Sequence, residues 1–369
     1  MKVVVAPDTF ASTFAGTLGA VEAARAVADG WRRGAPHDDV LVAPMSDGGP
    51  GFVDVIHASL GGRLLPSSVT GPLGAPAAAT VLLVRADAYV ESAQACGARP
   101  LATDDRDIWR ASSHGVGELV AAAVDAGAAR IVVGLGRSVA NDGGAGLLAA
   151  LGAEPAAALR AGPAGLVDLD RLDLGPARRR LAGVNLLVVS DVDNPLLGLR
   201  GVTNVFGPQQ GASAADVPAL DAALTRLAEL ADRDVAGAKG AGAGGGLGYA
   251  LLLLGARRAP GFATVADIVG FTEALAGAGL VVTGEGSFDV HSLRATVVSE
   301  VAAACAEVGA PCVVLAGRVD VGRREMNANG IEAAYSLADL PGELNDAVRH
   351  PAATLAVLAE RTARNWSPG

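Results

Sequence analysis

The sequence contains very few lysines, few aromatic residues and few cysteines. Of its 369 residues only Lys2 and Lys239 are lysines, so arginine carries nearly all of the positive charge. The formal net charge is -10 and the basic residues are scattered, which argues against nucleic acid or an anionic membrane as a partner. Any anionic ligand must therefore be bound by arginine, by backbone N–H groups or through a metal ion.

The cysteines have neither an even count nor a metal-ligand spacing, and no basic-then-apolar leader precedes the first apolar run. This pattern predicts a reduced, cytoplasmic protein. The most apolar short run, 249–254, is far below the ~20 residues that a membrane-spanning helix needs. We expect no membrane association, and a homodimer remains open as an assembly state. The motif G-x-x-x-x-G-K-[ST] is absent, which excludes a P-loop kinase.

Length and patterning predict an α/β fold with two domains. The chain is longer than an average single domain, and 51% hydrophobic residues with only 4% aromatics require a core of Ala, Val and Leu. Strand-like apolar runs alternate with helical segments, except for alternating strands from about residue 63 to 85. We therefore predict a Rossmann-like parallel-sheet domain from residues 1–65 and 262–369, an inserted mixed-sheet domain from residues 66–261, and an active-site cleft between them.

Acidic residues follow several of the strand-like runs. Asp191 and Asp193 come directly after the apolar run 185–190, and open α/β sheets bind ligands beyond the carboxyl ends of their strands. The alternative for Asp193 is an Asx turn with Asn194-Pro195 that has only a structural role. Glu91 and Glu285 also follow apolar runs, where a buried carboxylate is costly unless it is paired. Asp8, Asp47 and Asp289 stand in comparable positions.

Three segments, 134–146, 240–248 and 284–286, are rich in glycine, and the first also carries side-chain donors and could cradle an anion. For the first segment the alternative is a tight turn that allows close helix packing. The second contains G-x-G-x-x-G, but no clear strand precedes it, so it is weak as a dinucleotide fingerprint. A lone loop histidine such as His291 is more often a turn or surface residue than a catalyst.

Taken in order, these stretches resemble the glycerate kinase family that makes 2-phosphoglycerate. The family run Pro-Asp-Ser-Phe-Lys-Gly-Ser corresponds to residues 7–13, and Met-Ala-Asp-Gly-Gly-Glu-Gly to residues 45–51. Gly-Leu-Gly-Gly-Ser-Ala-Thr-Asn-Asp-Gly-Gly corresponds to residues 134–144. The segments 191–196, 206–209 and 284–286 match without substitution, as does Asp289.

The resemblance implies ATP-dependent phosphorylation of D-glycerate or a closely related small hydroxy acid, with ATP and Mg²⁺ as cofactors and an acidic small molecule as the substrate. It implies catalytic roles for Asp191, Asp193 and Asp289, and metal binding by Asp193 and Asp289. The implied substrate-binding residues are Asp8, Asp47, Glu91, Arg137, Ser138, Asn141, Asp142 and His291. The implied phosphate- or nucleotide-binding residues are Gly143, Gly144, Lys239, Gly245, Gly246, Gly284 and Glu285.

Four substitutions depart from the family pattern. Ala11 replaces a lysine, Pro50 a glutamate, Ala295-Thr296 a Gly-Lys pair, and His291 a glutamine. Two alternatives therefore stand beside the kinase: an enzyme of the same fold with another acidic substrate or reaction, and a catalytically lapsed binding protein. If the kinase reading holds, we expect Lys239 to replace part of the lost positive charge, with Arg137 as the competing candidate.

Overall fold

The computed structural model describes residues 1–11, 17–97, 106–339 and 349–367; Ser12 and Thr13 of the first family-like run lie outside these ranges. The chain divides into two compact units. Unit 1 comprises Met1–Asp47, Asp54–Leu60 and Phe262–Gly369, and unit 2 comprises Gly48–Val53 and Gly61–Gly261. The first long crossing into unit 2 thus follows Leu60 rather than residue 65, because residues 63–70 form one strand of unit 2.

The strands of unit 1 form a parallel sheet and those of unit 2 a mixed sheet. Their bounds in chain order are β1 Lys2–Val5, β2 Asp39–Val42, β3 Arg63–Thr70, β4 Pro76–Val84, β5 Asp87–Glu91, β6 Arg130–Gly134, β7 Asn185–Val189, β8 Arg257–Ala259, β9 Leu280–Phe288, β10 Cys312–Val319 and β11 Ile331–Ser336.

Helices follow or connect most of these strands. Their bounds are α1 Ala20–Gly34, α2 Phe52–Leu60, α3 Ala93–Cys96, α4 His114–Asp125, α5 Ala145–Ala150, α6 Ala156–Arg160, α7 Gly175–Arg180, α8 Val202–Gln210, α9 Asp216–Leu230, α10 Arg233–Ala236, α11 Ala243–Leu253, α12 Gly261–Val269, α13 Phe271–Leu275, α14 Val297–Val308, α15 Arg323–Ala328 and α16 Pro351–Trp366, with short 3₁₀ helices at Pro163–Leu166 and Leu337–Asp339.

The sheet of unit 1 has the order β11-β10-β9-β1-β2, and all of its pairings are parallel. Its central strands are continuous apolar runs that are buried, as expected of a parallel sheet covered on both faces. Helix α1 packs closely against α16, and a Cβ added at Gly30 would overlap the carbonyl oxygen of Ala356. The absence of a side chain at Gly30 therefore allows the two helix backbones to approach.

Two strands of unit 1 differ from the sequence expectation. Strand β9 does not end with its apolar residues but continues through the glycine-rich segment to Phe288. Glycine-rich sequence usually indicates a loop, but here the extended β10 pairs with Gly284, Glu285, Ser287 and Phe288. Strand β11 was not predicted at all, because its sequence lacks a clear apolar run.

The sheet of unit 2 has the order β3-β4-β5-β6-β7-β8. The pairings β3–β4 and β4–β5 are antiparallel, and β5 to β8 are parallel. Strand β8 was not predicted, because Arg257–Ala259 lacks any apolar pattern. The carboxyl ends of the four parallel strands share one edge, where the chain continues into the loops that carry Ser138 and Asp191. Among the described residues, no helix is long and apolar enough to cross a membrane.

Candidate active site

In unit 1 the loops after β1 and β2 lie at the carboxyl edge of the sheet. The Asp8 N–H donates to the carbonyl of Gly284 at 2.9 Å, which brings Asp8 next to the Gly284-Glu285 segment of β9. The Met45 N–H donates to the carbonyl of Pro7 at 3.0 Å, so the segment leading to Asp47 follows the same edge. Gly284 is interior to the sheet, where a Cβ would overlap the Leu315 carbonyl oxygen, so its backbone serves strand packing.

Glu285 carries an unusual carboxylate at this edge. Its Oε1 atom is buried and has no hydrogen-bond partner among the described residues. Burial raises the pKa of Glu285 to about 7; a hydrogen bond from Ser292 lowers this pKa in part, and the nearby charge of Asp289 raises it further. When the Glu285 carboxylate is ionised, its negative charge repels a phosphate group. The side chain of Glu285 suits a cation better than a phosphate group, and the predicted phosphate-binding role stays a prediction.

Asp289 begins the turn after β9. Its Oδ1 accepts the His291 N–H at 2.7 Å, and its own N–H donates to Ser292 Oγ at 3.1 Å, as in an Asx turn. The side chain of His291 is exposed. This turn holds Asp289 at the same end of β9 as Glu285.

The Ala295-Thr296 substitution has a local structural role. Thr296 is the N-cap of α14, and it forms a capping box with Ser299: the Ser299 N–H donates to Thr296 Oγ1 at 3.3 Å, and the Thr296 N–H donates to Ser299 Oγ at 3.0 Å. Ala295 has a φ of 51°, a left-handed conformation that favours glycine. Position 296 thus starts a helix and carries no charge.

In unit 2 the buried carboxylate of Asp142 organises the glycine-rich loop after β6. Oδ2 accepts the Ser113 N–H at 2.8 Å, the Ser113 hydroxyl at 2.9 Å and the Gly146 N–H at 3.1 Å, and Oδ1 accepts the Gly144 N–H at 3.0 Å. Burial raises the pKa of Asp142, and these four bonds lower it in part. Because Asp142 is only 1% exposed, its side chain positions the loop rather than binding substrate as the sequence predicted.

The side-chain amide of the neighbouring Asn141 is hydrogen-bonded through both its nitrogen and its oxygen. Its amide donates to Gln210 Oε1 at 2.9 Å, and its oxygen accepts the Thr203 hydroxyl at 3.2 Å. Gln210 in turn donates to the carbonyls of Ser138 and Ala140, and the Ser138 hydroxyl donates back to Ala140. The predicted substrate contacts of Asn141 and Ser138 would require these bonds to be replaced. Sequence reasoning missed Thr203 and Gln210, although Gln210 directly follows the family-like segment 206–209.

The glycines predicted to hold phosphate are buried against one another. The Gly143 N–H donates to the carbonyl of Gly245 at 3.1 Å, and the Gly144 N–H is taken by Asp142. A Cβ at Gly245 would overlap the carbonyl oxygen of Ala140, and one at Gly246 would overlap Gly143. Gly244, Gly245 and Gly246 are left-handed in succession. The geometry fits the packing alternative rather than an open phosphate cradle.

At the end of β7 the two aspartates have different surroundings. Asp191 Oδ1 accepts the Gly261 N–H at 2.7 Å. Asp193 is ion-paired through Oδ1 with Arg258 Nη2 at 2.7 Å and through Oδ2 with Lys239 Nζ at 3.5 Å. Asp193 thus has two cations beside it, and its predicted catalytic and metal-binding roles stay predictions. Arg258 was missed because nothing in its local sequence marked a strand end.

The remaining predicted residues of unit 2 lie on neighbouring segments. Glu91 is buried at the end of β5, and its Oε2 accepts the Val53 N–H at 3.2 Å. Arg137 is exposed in the loop after β6. Arg106, which the sequence analysis did not single out, donates from Nη1 to the carbonyl of Gln209 at 3.3 Å, and its buried Nε has no partner among the described residues.

Comparison with known proteins gives a consistent result over the whole chain. The model of the glycerate kinase family matches residues 3–367. A protein named glycerate kinase from Bacillus subtilis is 36% identical and covers 99% of this chain and 96% of its own length. Glycerate 2-kinase from Escherichia coli is 35% identical over 95% of this chain and 93% of its own length.

An uncharacterised protein from Mycobacterium bovis is 42% identical and covers 98% of this chain and 91% of its own length. A crystal structure from Salmonella typhimurium LT2, described as a candidate glycerate kinase 2, has a TM-score of 0.79 and 35% identity and covers 99% of this chain and 98% of its own. The chain is therefore a kinase-like phosphotransferase that belongs to the glycerate kinase family.

Proposed function

We propose that this protein transfers the terminal phosphoryl group of ATP to a hydroxyl of D-glycerate, giving 2-phosphoglycerate, or to a closely related small hydroxy acid. The observation that carries the proposal is the match to the glycerate kinase family from residue 3 to residue 367, with relatives named glycerate kinase that align over nearly their full length. Each unit by itself carries strand-end carboxylates, the type of acidic group that such a transfer uses.

Asp191 is the preferred residue to orient the substrate hydroxyl. It follows strand β7, and the Gly261 N–H that donates to Oδ1 at 2.7 Å holds the carboxylate at the end of that strand. A carboxylate in this role accepts the proton of the attacking hydroxyl, which contributes on the order of 10²–10⁴ in rate where proton transfer matters.

The metal that phosphoryl transfer requires fits unit 1. Mg²⁺ is bound in kinases by one or two carboxylates together with substrate phosphates, and it neutralises charge that develops on the phosphates. Glu285 and Asp289 are two carboxylates at one end of β9, and the unpartnered Oε1 of Glu285 gives a direct reason for a cation there. Glu285 therefore takes the place that the sequence analysis gave to Asp193.

The carboxylate of the acid substrate requires a cation, and unit 2 offers two arginines near the loop after β6. Arg106 uses one terminal nitrogen for Gln209, and Arg137 is exposed. A guanidinium binds a carboxylate through two parallel N–H donors. We expect Arg106→Gln or Arg137→Gln to raise KM for the acid while leaving nucleotide affinity unchanged.

A second candidate function follows from the substituted positions. Ala11 carries no charge and Thr296 caps a helix, so neither position supplies the family's lysine charge. The same fold could serve another acidic substrate or reaction, or binding without turnover.

The deciding experiment measures ATP consumption with D-glycerate, identifies the product by ³¹P NMR and repeats the assay with other small hydroxy acids. Formation of 2-phosphoglycerate supports the kinase. Turnover only with another acid supports a changed substrate, and ligand-dependent thermal stabilisation without turnover supports a binding protein.

A further inference from the structure

The cations around Asp193 form a compact charged site at the end of β7 and β8. Arg258 Nη2 contacts Asp193 at 2.7 Å and donates to the Ser190 carbonyl at 3.0 Å, while Lys239 approaches the other carboxylate oxygen at 3.5 Å. Two positive charges and one negative charge leave a surplus of one positive charge. Lys239, at this site, is one of only two lysines in the sequence.

The guanidinium of Arg258 is held in one orientation. A Cβ added at Gly240 would lie 2.6 Å from Arg258 Cδ and 2.7 Å from Nε, so the Gly240 backbone covers the stem of the side chain. Nε is buried beneath it, and the bond to Ser190 fixes Nη2. The side chain of Arg258 is 21% exposed, and Nη1 makes no hydrogen bond to the residues that the structure describes. The terminal nitrogens thus face Asp193 and solvent.

Asp193 is a replaceable partner for this arginine. Its side chain is 58% exposed and that of Lys239 is 80% exposed, and exposed ion pairs contribute only about 0–1 kcal/mol. A phosphate group carries a charge of about −1.5 to −2 at neutral pH and three acceptor oxygens, and it forms stronger charge-assisted bonds with a guanidinium than a single carboxylate in water does. Replacement of the carboxylate by a phosphate is therefore favourable.

We propose that Arg258, with Lys239 as a second cation, forms a phosphate-binding site in which Asp193 is the resident counter-ion that the phosphate displaces. The proposal rests on the proposed function only for the identity of the molecule that carries the phosphate group. That molecule is either the nucleotide donor or the phosphorylated product. It gives Asp193 a role opposite to that of a metal ligand, because removal of its charge strengthens phosphate binding.

The test is calorimetric titration of the wild-type protein and five variants with pyrophosphate, at low ionic strength and without divalent metal. We expect Arg258→Gln to weaken binding about tenfold or more and Lys239→Gln about two- to threefold. Asp193→Asn should strengthen binding about two- to fivefold. Arg257→Gln is the matched control: it removes the same charge from the adjacent position of β8, whose side chain points to the opposite face, and should change affinity less than about twofold.

Any one of three results would overturn the proposal. These are no binding of pyrophosphate by the wild type, unchanged affinity in Arg258→Gln, and weaker binding by Asp193→Asn. Arg258→Lys retains the charge and should bind with intermediate affinity, which separates charge loss from misfolding. Repeating the titrations with 2-phosphoglycerate and a non-hydrolysable ATP analogue identifies the carrier as the ligand whose affinity falls in Arg258→Gln. Because the readout is binding, absence of glycerate phosphorylation would leave this result standing.

Discussion

The two units use polar residues differently at the carboxyl edges of their sheets. In unit 2, Asp142, Asn141 and Gln210 are buried, and each bonds to two or more groups of its own unit. In unit 1, Glu285 is half-buried, its Oε1 is buried without a hydrogen-bond partner among the described residues, and its pKa is raised to about 7. A network in which every polar group is hydrogen-bonded stabilises a loop, whereas a buried carboxylate oxygen without a hydrogen bond favours the binding of a proton or a cation. Motif residues of similar type are thus fully hydrogen-bonded in the loop network of unit 2, whereas Glu285 of unit 1 keeps one buried oxygen without a partner among the described residues.

The largest effect is expected at Asp191, the carboxylate of unit 2 that lies outside this saturated network. Asp191→Asn should lower kcat by about 10²–10⁴ because it removes the proton acceptor, while its amide oxygen still accepts the Gly261 N–H. The melting temperature should change by only a few degrees. Steady-state kinetics and thermal unfolding measure both, with the exposed Asp170→Asn as control. A kcat within about tenfold of wild type would exclude Asp191 as the base.

Gly245→Ala tests the packing between the two glycine loops of unit 2. The new Cβ would overlap the Ala140 carbonyl oxygen at a residue whose φ is 77°, so we expect a loss of about 3 kcal/mol in unfolding free energy. Gly255→Ala is the matched control, since Gly255 also has a positive φ, 88°, but no atom lies within 4 Å of its Cβ position; it should lose about 1 kcal/mol. Equal losses in urea unfolding would show that the loops are not closely packed.

Asp142→Asn tests the loop network directly. The carboxylate accepts four donors, and an amide would place its NH₂ group against at least one of them. We expect a loss of about 2 kcal/mol in unfolding free energy, because a buried donor is left unsatisfied. Asp191→Asn serves as the comparison in the same unfolding assay. If both variants unfold at the wild-type urea concentration, Asp142 does not hold the loop.

Glu285→Gln tests whether the carboxyl group of Glu285 in unit 1 makes stability depend on pH. The folded protein holds the proton of Glu285 more tightly than the unfolded chain, because its pKa rises from 4.5 to about 7. The associated stabilisation is complete below the unfolded pKa and is lost as pH rises through about 7. Between the acidic and alkaline ends of this range, the wild type should therefore lose about 3 kcal/mol of unfolding free energy relative to the glutamine variant.

Urea unfolding of wild type and Glu285→Gln across this pH range measures the effect. Added Mg²⁺ should stabilise the wild type above about pH 7 more than the variant, since an ionised carboxylate binds the ion more strongly than a neutral amide. Parallel pH profiles for the two proteins would contradict an unpaired buried carboxylate. Glu325→Gln, on the exposed surface of α15, is the matched control in unit 1 and should leave the pH profile unchanged.

The sequence by itself determined the family, the α/β class and the acidic residues after the strands. These features depend on local patterns: apolar runs such as those of β1, β7 and β9 predict buried parallel strands, and the polar residue after each run follows from chain order. The motif resemblance rested on the same local order, and the match over residues 3–367 confirmed it.

Only the tertiary structure decided which of those residues are available for chemistry. Partners that are distant in sequence determine this: Arg258 lies 65 positions from the Asp193 that it neutralises, and Gln210 lies 69 positions from the Asn141 that it holds. From the sequence, the glycines around residues 143 and 245 are compatible with a phosphate-binding loop and equally with a close packing contact. Both structures require backbone without side chains. The distinction requires knowing that the two loops lie against each other, with the Gly143 N–H donating to the Gly245 carbonyl.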